Sequence, residues 1–172
     1  MIPDKLLDEA ALAATLAQYD VYYLRTAAKA SPLSIAAPDL IVALAQHSEP
    51  RLHEALIPLF LRHPEFAVYV PDLVDQLPPD ASHMLSHLYT AAVYLQRLWR
   101  SKLEMYLGPH SLLPDYFGES EWQLPPPDEH FGEAGLRVLA EKLRSETGIN
   151  WLSAYESSMS LYLYQLRLHT NG

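Results

Sequence analysis

Apolar residues recur every three to four positions along this 172-residue chain, and nowhere do they alternate one by one as in a half-buried strand. That period restricts the chain to packed helices. Proline then decides where each helix stops, because it has no N–H to donate and its ring clashes with the preceding turn. The expected class is all-α, built from helical hairpins, with one proline-rich ordered loop.

The first helix is expected over Asp4 to Ala30. Asp4 can cap it, and Leu6, Ala10, Ala13, Leu16 and Ala17 share a helical spacing. Tyr19, Tyr22 and Tyr23 continue the pattern, and Arg25 and Lys29 complement the C-terminal dipole before Ser31-Pro32 breaks it. Pro38-Asp39-Leu40-Ile41-Val42-Ala43-Leu44 then recurs loosely as Pro71-Asp72-Leu73-Val74-Asp75-Gln76-Leu77, 33 residues later (71 − 38). After the first copy, Ser48-Glu49-Pro50 makes a turn, and Arg51 to Arg62 forms a second helix that Pro58 should kink. After the second copy, Pro78-Pro79-Asp80 makes the turn and a long helix runs from Ala81 to Leu107.

Over residues 38–97 this pattern resembles a HEAT or armadillo repeat, an apolar first helix opened by Pro-Asp followed by an amphipathic second helix. Two degenerate copies fall short of the three or more that a solenoid needs, so two hairpins in an irregular bundle remain the other arrangement. The segment 108–131 is the one long irregular stretch. It holds Pro109, Pro114, Pro125, Pro126 and Pro127, with Tyr116, Phe117 and Trp122 between them. Prolines stop helix growth while three aromatics have area to bury, so the segment should pack as an ordered crossing. Helices follow over Gly132 to Thr147, closed by Gly148, and from an Asn150 cap to about Leu168.

The length favours one domain over 1–172. No cysteine is present, which removes disulfides, thiol nucleophiles and zinc–thiolate sites, and fits a reducing compartment. Residues Met1-Ile2-Pro3-Asp4-Lys5 show no basic segment leading into an apolar one, and no run nears the roughly 20 apolar residues of a spanning helix. A cytoplasmic protein with no membrane contact is expected. The formal net charge of −9 argues against direct nucleic-acid binding, which rests on Lys and Arg.

Chemistry-bearing clusters are few. Asp80, His83 and His87 lie at helical spacings where imidazoles can share a metal, yet this is not His-Glu-x-x-His, and no thiolate or general-base Glu lies inside the motif. The stripe His83, His87, Thr90, Tyr94, Arg97 and Ser101 is expected to be the polar face of its helix, beside an apolar arc of Met84, Leu88, Ala91, Leu95, Leu98 and Trp99. Asp115, Glu119, Glu121, Asp128 and Glu129 read as solvated loop charge, since acid–base work needs the burial that separates pKa values. Phosphate-binding glycine loops and the nucleophile elbow are missing, with Gly132 and Gly135 merely flanking a helix start. HEPN-type ribonuclease toxins carry Arg, four to six residues, then His. The arginines at 25, 51, 62, 97, 100, 137, 144 and 167 are followed by none at that distance. No metal and no cofactor are expected.

The last helix carries more information. Trp151, Leu152, Tyr155, Met159, Tyr162, Leu163 and Leu166 share one arc, and Leu161, Tyr164 and Leu168 form a second apolar stripe elsewhere. A helix apolar on two sides is either sandwiched or presents a binding face, so these three residues are the candidate interaction site.

Three stretches carry a further resemblance: residues 49–66, Tyr89-Thr90-Ala91-Ala92-Val93-Tyr94-Leu95-Gln96, and Leu113-Pro114-Asp115-Tyr116-Phe117. They are similar to small, uncharacterised bacterial helical proteins encoded beside minimal nucleotidyltransferases, in pairs like those of toxin–antitoxin modules. The resemblance implies a partner protein, perforce without a catalytic residue to carry over. The expected function is a non-enzymatic interaction module, an antitoxin-like regulator of a nucleotidyltransferase-type protein, capable also of forming a homodimer. The alternatives are a general helical-repeat scaffold for other proteins and an enzyme with an unrecognised site around His83, His87 and Arg97.

Overall fold

The computed structural model describes residues 8–22 and 31–170, and every regular element among them is helical. The chain divides into two compact units, Met1–Leu88 and Tyr89–Gly172.

In the first unit, α1 spans Glu9–Gln18, with the Asp8 carboxylate accepting from the Ala10 N–H at its start. It stops at Gln18, immediately before Tyr19, the first of the tyrosines expected to extend it. Asp20 takes the left-handed conformation at φ 60°, the Asp20 N–H reaches the Ala17 carbonyl, and the Val21 N–H reaches back to Leu16. Those two bonds are the Schellman closure, here made with Asp where Gly is usual. The expected continuation through Tyr19 and Tyr22 is therefore corrected, and residues 4–7 and 23–30 lie outside the described residues. The incoming 31–36 segment is held on α1 by side chains: Thr15 Oγ1 accepts from the Leu33 N–H, and the Tyr19 hydroxyl donates to the Ile35 carbonyl.

Helix α2 (Ala37–Gln46) opens with proline in its first turn, and Leu40, Ile41 and Leu44 are fully buried. The turn after it leads into α3 (Pro50–Glu54) and α4 (Leu56–Arg62). The break at Ala55 follows from Pro58, which cannot bond the Glu54 carbonyl and pushes against it, as its position predicted. A 3-10 segment, Pro64–Tyr69, precedes α5 (Val70–Gln76), the second Pro-Asp helix, shorter than the first.

Helix α6 (Pro79–Leu98) crosses the boundary between the units, and α7 (Arg100–Leu107) follows a break at Trp99, where one continuous helix was expected. Residues 85–96 of α6 are all buried. This corrects the polar-face reading of its stripe, because His87, Thr90 and Tyr94 are at most 1% exposed.

The physical reason lies, for the second unit, in the crossing over 108–128. Tyr89 donates its hydroxyl to the Pro114 carbonyl at 2.6 Å, and Tyr94 donates to the Pro125 carbonyl at 2.6 Å. Gln96 donates to the Ser111 carbonyl and accepts from the Leu113 N–H at 2.7 Å, and Arg97 donates to the Leu113 carbonyl at 2.8 Å. Buried polar groups need partners, and a proline-rich chain, poor in N–H groups, offers carbonyls to just such donors. The crossing packs as expected, with its own Leu113, Trp122 and Leu124 buried. Replacing Gln96 with Leu strands the buried Leu113 N–H, an expected loss of about 2 kcal/mol in denaturant unfolding. An unfolding curve matching that of the unsubstituted chain refutes this role.

Helix α8 (Glu133–Thr147) buries Leu136, Leu139, Ala140 and Leu143 and closes at left-handed Gly148. Helix α9 (Trp151–Thr170) packs against α7 and α8, and the Asn150 side chain accepts from the Ser153 N–H at its start. Before α8, His130, Phe131 and Gly132 are consecutive left-handed residues, at φ 50°, 57° and 90°. The bend lets Gly132 lie on the Tyr94 carbonyl and Gly135 on the Tyr94 ring, so closely that a Cβ at either would overlap it. No helix among the described residues is long and apolar enough to cross a membrane.

Candidate functional site

The two histidines differ in environment. Asp80 and His83 are exposed, whereas His87 is 1% exposed. Burial holds the His87 imidazole neutral and lowers its pKa to about 3, with the nearby His83 adding to the effect. Among the described residues no three His, Asp or Glu side chains come together as metal ligands would. Asp115 accepts from the Gly118 and Glu119 N–H groups and so shapes its turn, while Glu119, Glu121, Asp128 and Glu129 are exposed.

The last helix separates its two stripes as its spacing requires. Trp151, Tyr155, Met159, Tyr162 and Leu166 are buried, and Leu152 and Leu163 are half-buried. Leu161, Tyr164 and Leu168 stand 40%, 45% and 44% exposed. Fully burying a large apolar side chain is worth roughly 1.5–3 kcal/mol, so this stripe leaves a large part of that gain unrealised.

Two clefts lie on the second unit around Trp99. One, of about 450 Å³, is lined by Leu95, Leu98, Leu136, Leu152 and Tyr155 together with Glu133, Arg137 and Glu156. The other, of about 310 Å³, lies along α7 and α9 and is walled by Met105, Tyr106, Leu163 and Tyr164, with Lys102 and Arg167. Trp99 and Ser160 line both. Tyr164 belongs both to this second cleft and to the exposed stripe, so the apolar surface continues from Met105, 67% exposed, to α9.

Two cations stand over rings here. The Lys102 ammonium lies 5.6 Å from the Trp99 ring centre, and the Arg167 guanidinium 5.8 Å from that of Tyr164. Periodicity on α9 found only one side of this surface. The α7 side went unread, although a signal exists: Trp99-x-x-Lys102 and Tyr164-x-x-Arg167 share the spacing that stacks residues three apart on a helix. Comparison with protein-family models, curated proteins and solved structures gives no match.

Proposed function

We propose that this chain is a protein-interaction module, that it takes its partner through the α7/α9 face, and that the partner is a nucleotidyltransferase-type protein which it regulates in an antitoxin-like pair. The observation that carries the interaction reading is the exposed stripe Leu161, Tyr164 and Leu168, continuous with an apolar cleft. Contiguous exposed apolar surface of this kind, with aromatic side chains and cations at its edge, has the composition of interface surface. The choice of partner class comes from the resemblance of residues 49–66, 89–96 and 113–117 to proteins encoded beside such enzymes. The reading asks no chemistry of His83, His87 or Arg97.

The double substitution Leu161→Lys and Leu168→Lys tests it. Both positions are about two-fifths exposed, so the fold should hold within about 1 kcal/mol by thermal unfolding. The unsubstituted protein should recover a nucleotidyltransferase-type protein from its native host in a pull-down read by mass spectrometry, and the double variant should lose it. Retention of that partner by a folded double variant overturns the proposed face. A variant that melts many degrees lower, from a protein that was itself monomeric, shows instead that the stripe is core.

A further inference from the structure

We infer that the cleft along α7 and α9 receives an acidic amphipathic helix of the partner protein, whose apolar side chains enter between Met105 and Tyr164 and whose carboxylates meet Lys102 and Arg167. This rests on the interaction reading above and adds the chemistry of the occupant.

The charge of the cleft runs against that of the chain. Acidic residues outnumber basic ones 21 to 12 overall, yet the residues lining this cleft include two cations and no carboxylate. Exposed cations in an acidic protein ordinarily find carboxylates nearby. Here Arg100 pairs with Glu104 at 3.0 Å and Arg137 with Glu133 at 2.9 Å, each one helical turn away. Among the described residues Lys102 and Arg167 meet aromatic rings instead. An ammonium carries three N–H groups and a guanidinium five, so a cation held over a ring still has donors that suit carboxylate oxygens.

The apolar wall fixes the other half of the occupant. Met105 is flexible and two-thirds exposed, and unbranched thioether side chains repack around incoming apolar groups. Helix α7 has eight residues, a length of about 12 Å, which matches about two turns of a docked helix. A helix laid in a groove presents apolar anchors at three- and four-residue spacings, with its flanks free to carry charge. Nucleic acid would bring negative charge as well, but an apolar wall on a chain of net charge −9 disfavours phosphate.

Two labelled model peptides test this against the full chain by fluorescence anisotropy at low salt. Both carry leucines at helical spacing; one has glutamates on its flanks and the other lysines. The glutamate peptide should bind about tenfold more tightly, the size expected of two partly exposed ion pairs, and added salt should narrow the difference. The variant Lys102→Glu with Arg167→Glu should reverse the preference while its circular dichroism stays unchanged. Equal binding of both peptides, or an unchanged preference in that variant, overturns the acidic occupant. If equal binding is nevertheless lost on Leu161→Lys, the face remains a docking surface and only the charge inference fails. A dimer of the unsubstituted chain in light scattering, dissolved by Lys102→Glu and Arg167→Glu, would place a second copy in the cleft and overturn the inference.

Discussion

Lowering the pH from 6.5 to 3 should remove about 4 kcal/mol of stability through His87 alone. Burial takes the pKa of this imidazole from its ordinary 6.5 to about 3, and the gap corresponds to about 5 kcal/mol of preference for the neutral ring in the folded state. Between those pH values the unfolded chain binds the proton and the folded chain does not. Stability is therefore complete above pH 6.5, declines as pH falls through the window, and stops changing on this account below about 3. An effect of that size approaches the whole net stability of many domains. Carboxylates also titrate in the lower part of the window, so the measurement is a comparison: denaturant unfolding of the unsubstituted protein and of His87→Gln, from pH 7.5 to 3.5. The variant should start less stable at neutral pH, since it disturbs a residue 1% exposed, and should follow a flatter curve. Parallel curves would show that His87 does not govern acid unfolding.

Substituting alanine at Gly132 should cost about 3–5 kcal/mol, lowering the thermal midpoint by on the order of 10 °C. Two penalties add. A side chain at φ 90° strains the backbone, and its Cβ would overlap the Tyr94 carbonyl oxygen, a main-chain atom inside a buried helix that cannot swing aside. Gly135→Ala tests the second penalty alone, since its Cβ would meet the Tyr94 ring. Shrinking that ring with Tyr94→Leu should recover part of the Gly135→Ala loss, a coupling visible in a double-mutant cycle. Gly148→Ala is the control, because its φ is 75° and nothing lies within 4 Å of an added Cβ. It should cost only about 1–2 kcal/mol. Equal losses at 132 and 148 would show that contact with Tyr94 adds nothing.

What could be read from the residues alone was mostly local. The all-α class, the Asn150 cap, the Gly148 stop, the buried stripe Leu136–Leu143 and the break upstream of Pro58 each depend on residues within one or two turns. The stop after α1 escaped notice because Asp20 fills a position where glycine is the usual marker. The stripe on α6 looked solvent-facing for a deeper reason. Its partners, for Arg97 and Tyr94, are main-chain carbonyls at 113 and 125, and a carbonyl leaves no mark in the pattern of side chains. The contact of Tyr94 with Gly132 and Gly135 was hidden likewise, since it joins residues about forty apart whose glycines seemed only to flank a helix. For the candidate surface, Leu161, Tyr164 and Leu168 showed themselves because their helical spacing places them off the arc that α9 buries. Met105 and Lys102 did not, since they join that surface only when α7 is laid beside α9.

The crossing from 108 to 128 reverses a habit of protein engineering. Segments without regular structure are ordinarily where a chain accepts tags, linkers and extra residues. Here the irregular segment is measured out by four side chains of one helix, whose bonds fall at 111, 113, 114 and 125. One inserted residue between those points shifts every later carbonyl out of reach of its donor. The exposed turn at 148–150 is held too, but by bonds that stay within residues 144–154, so a residue added there displaces no distant partner.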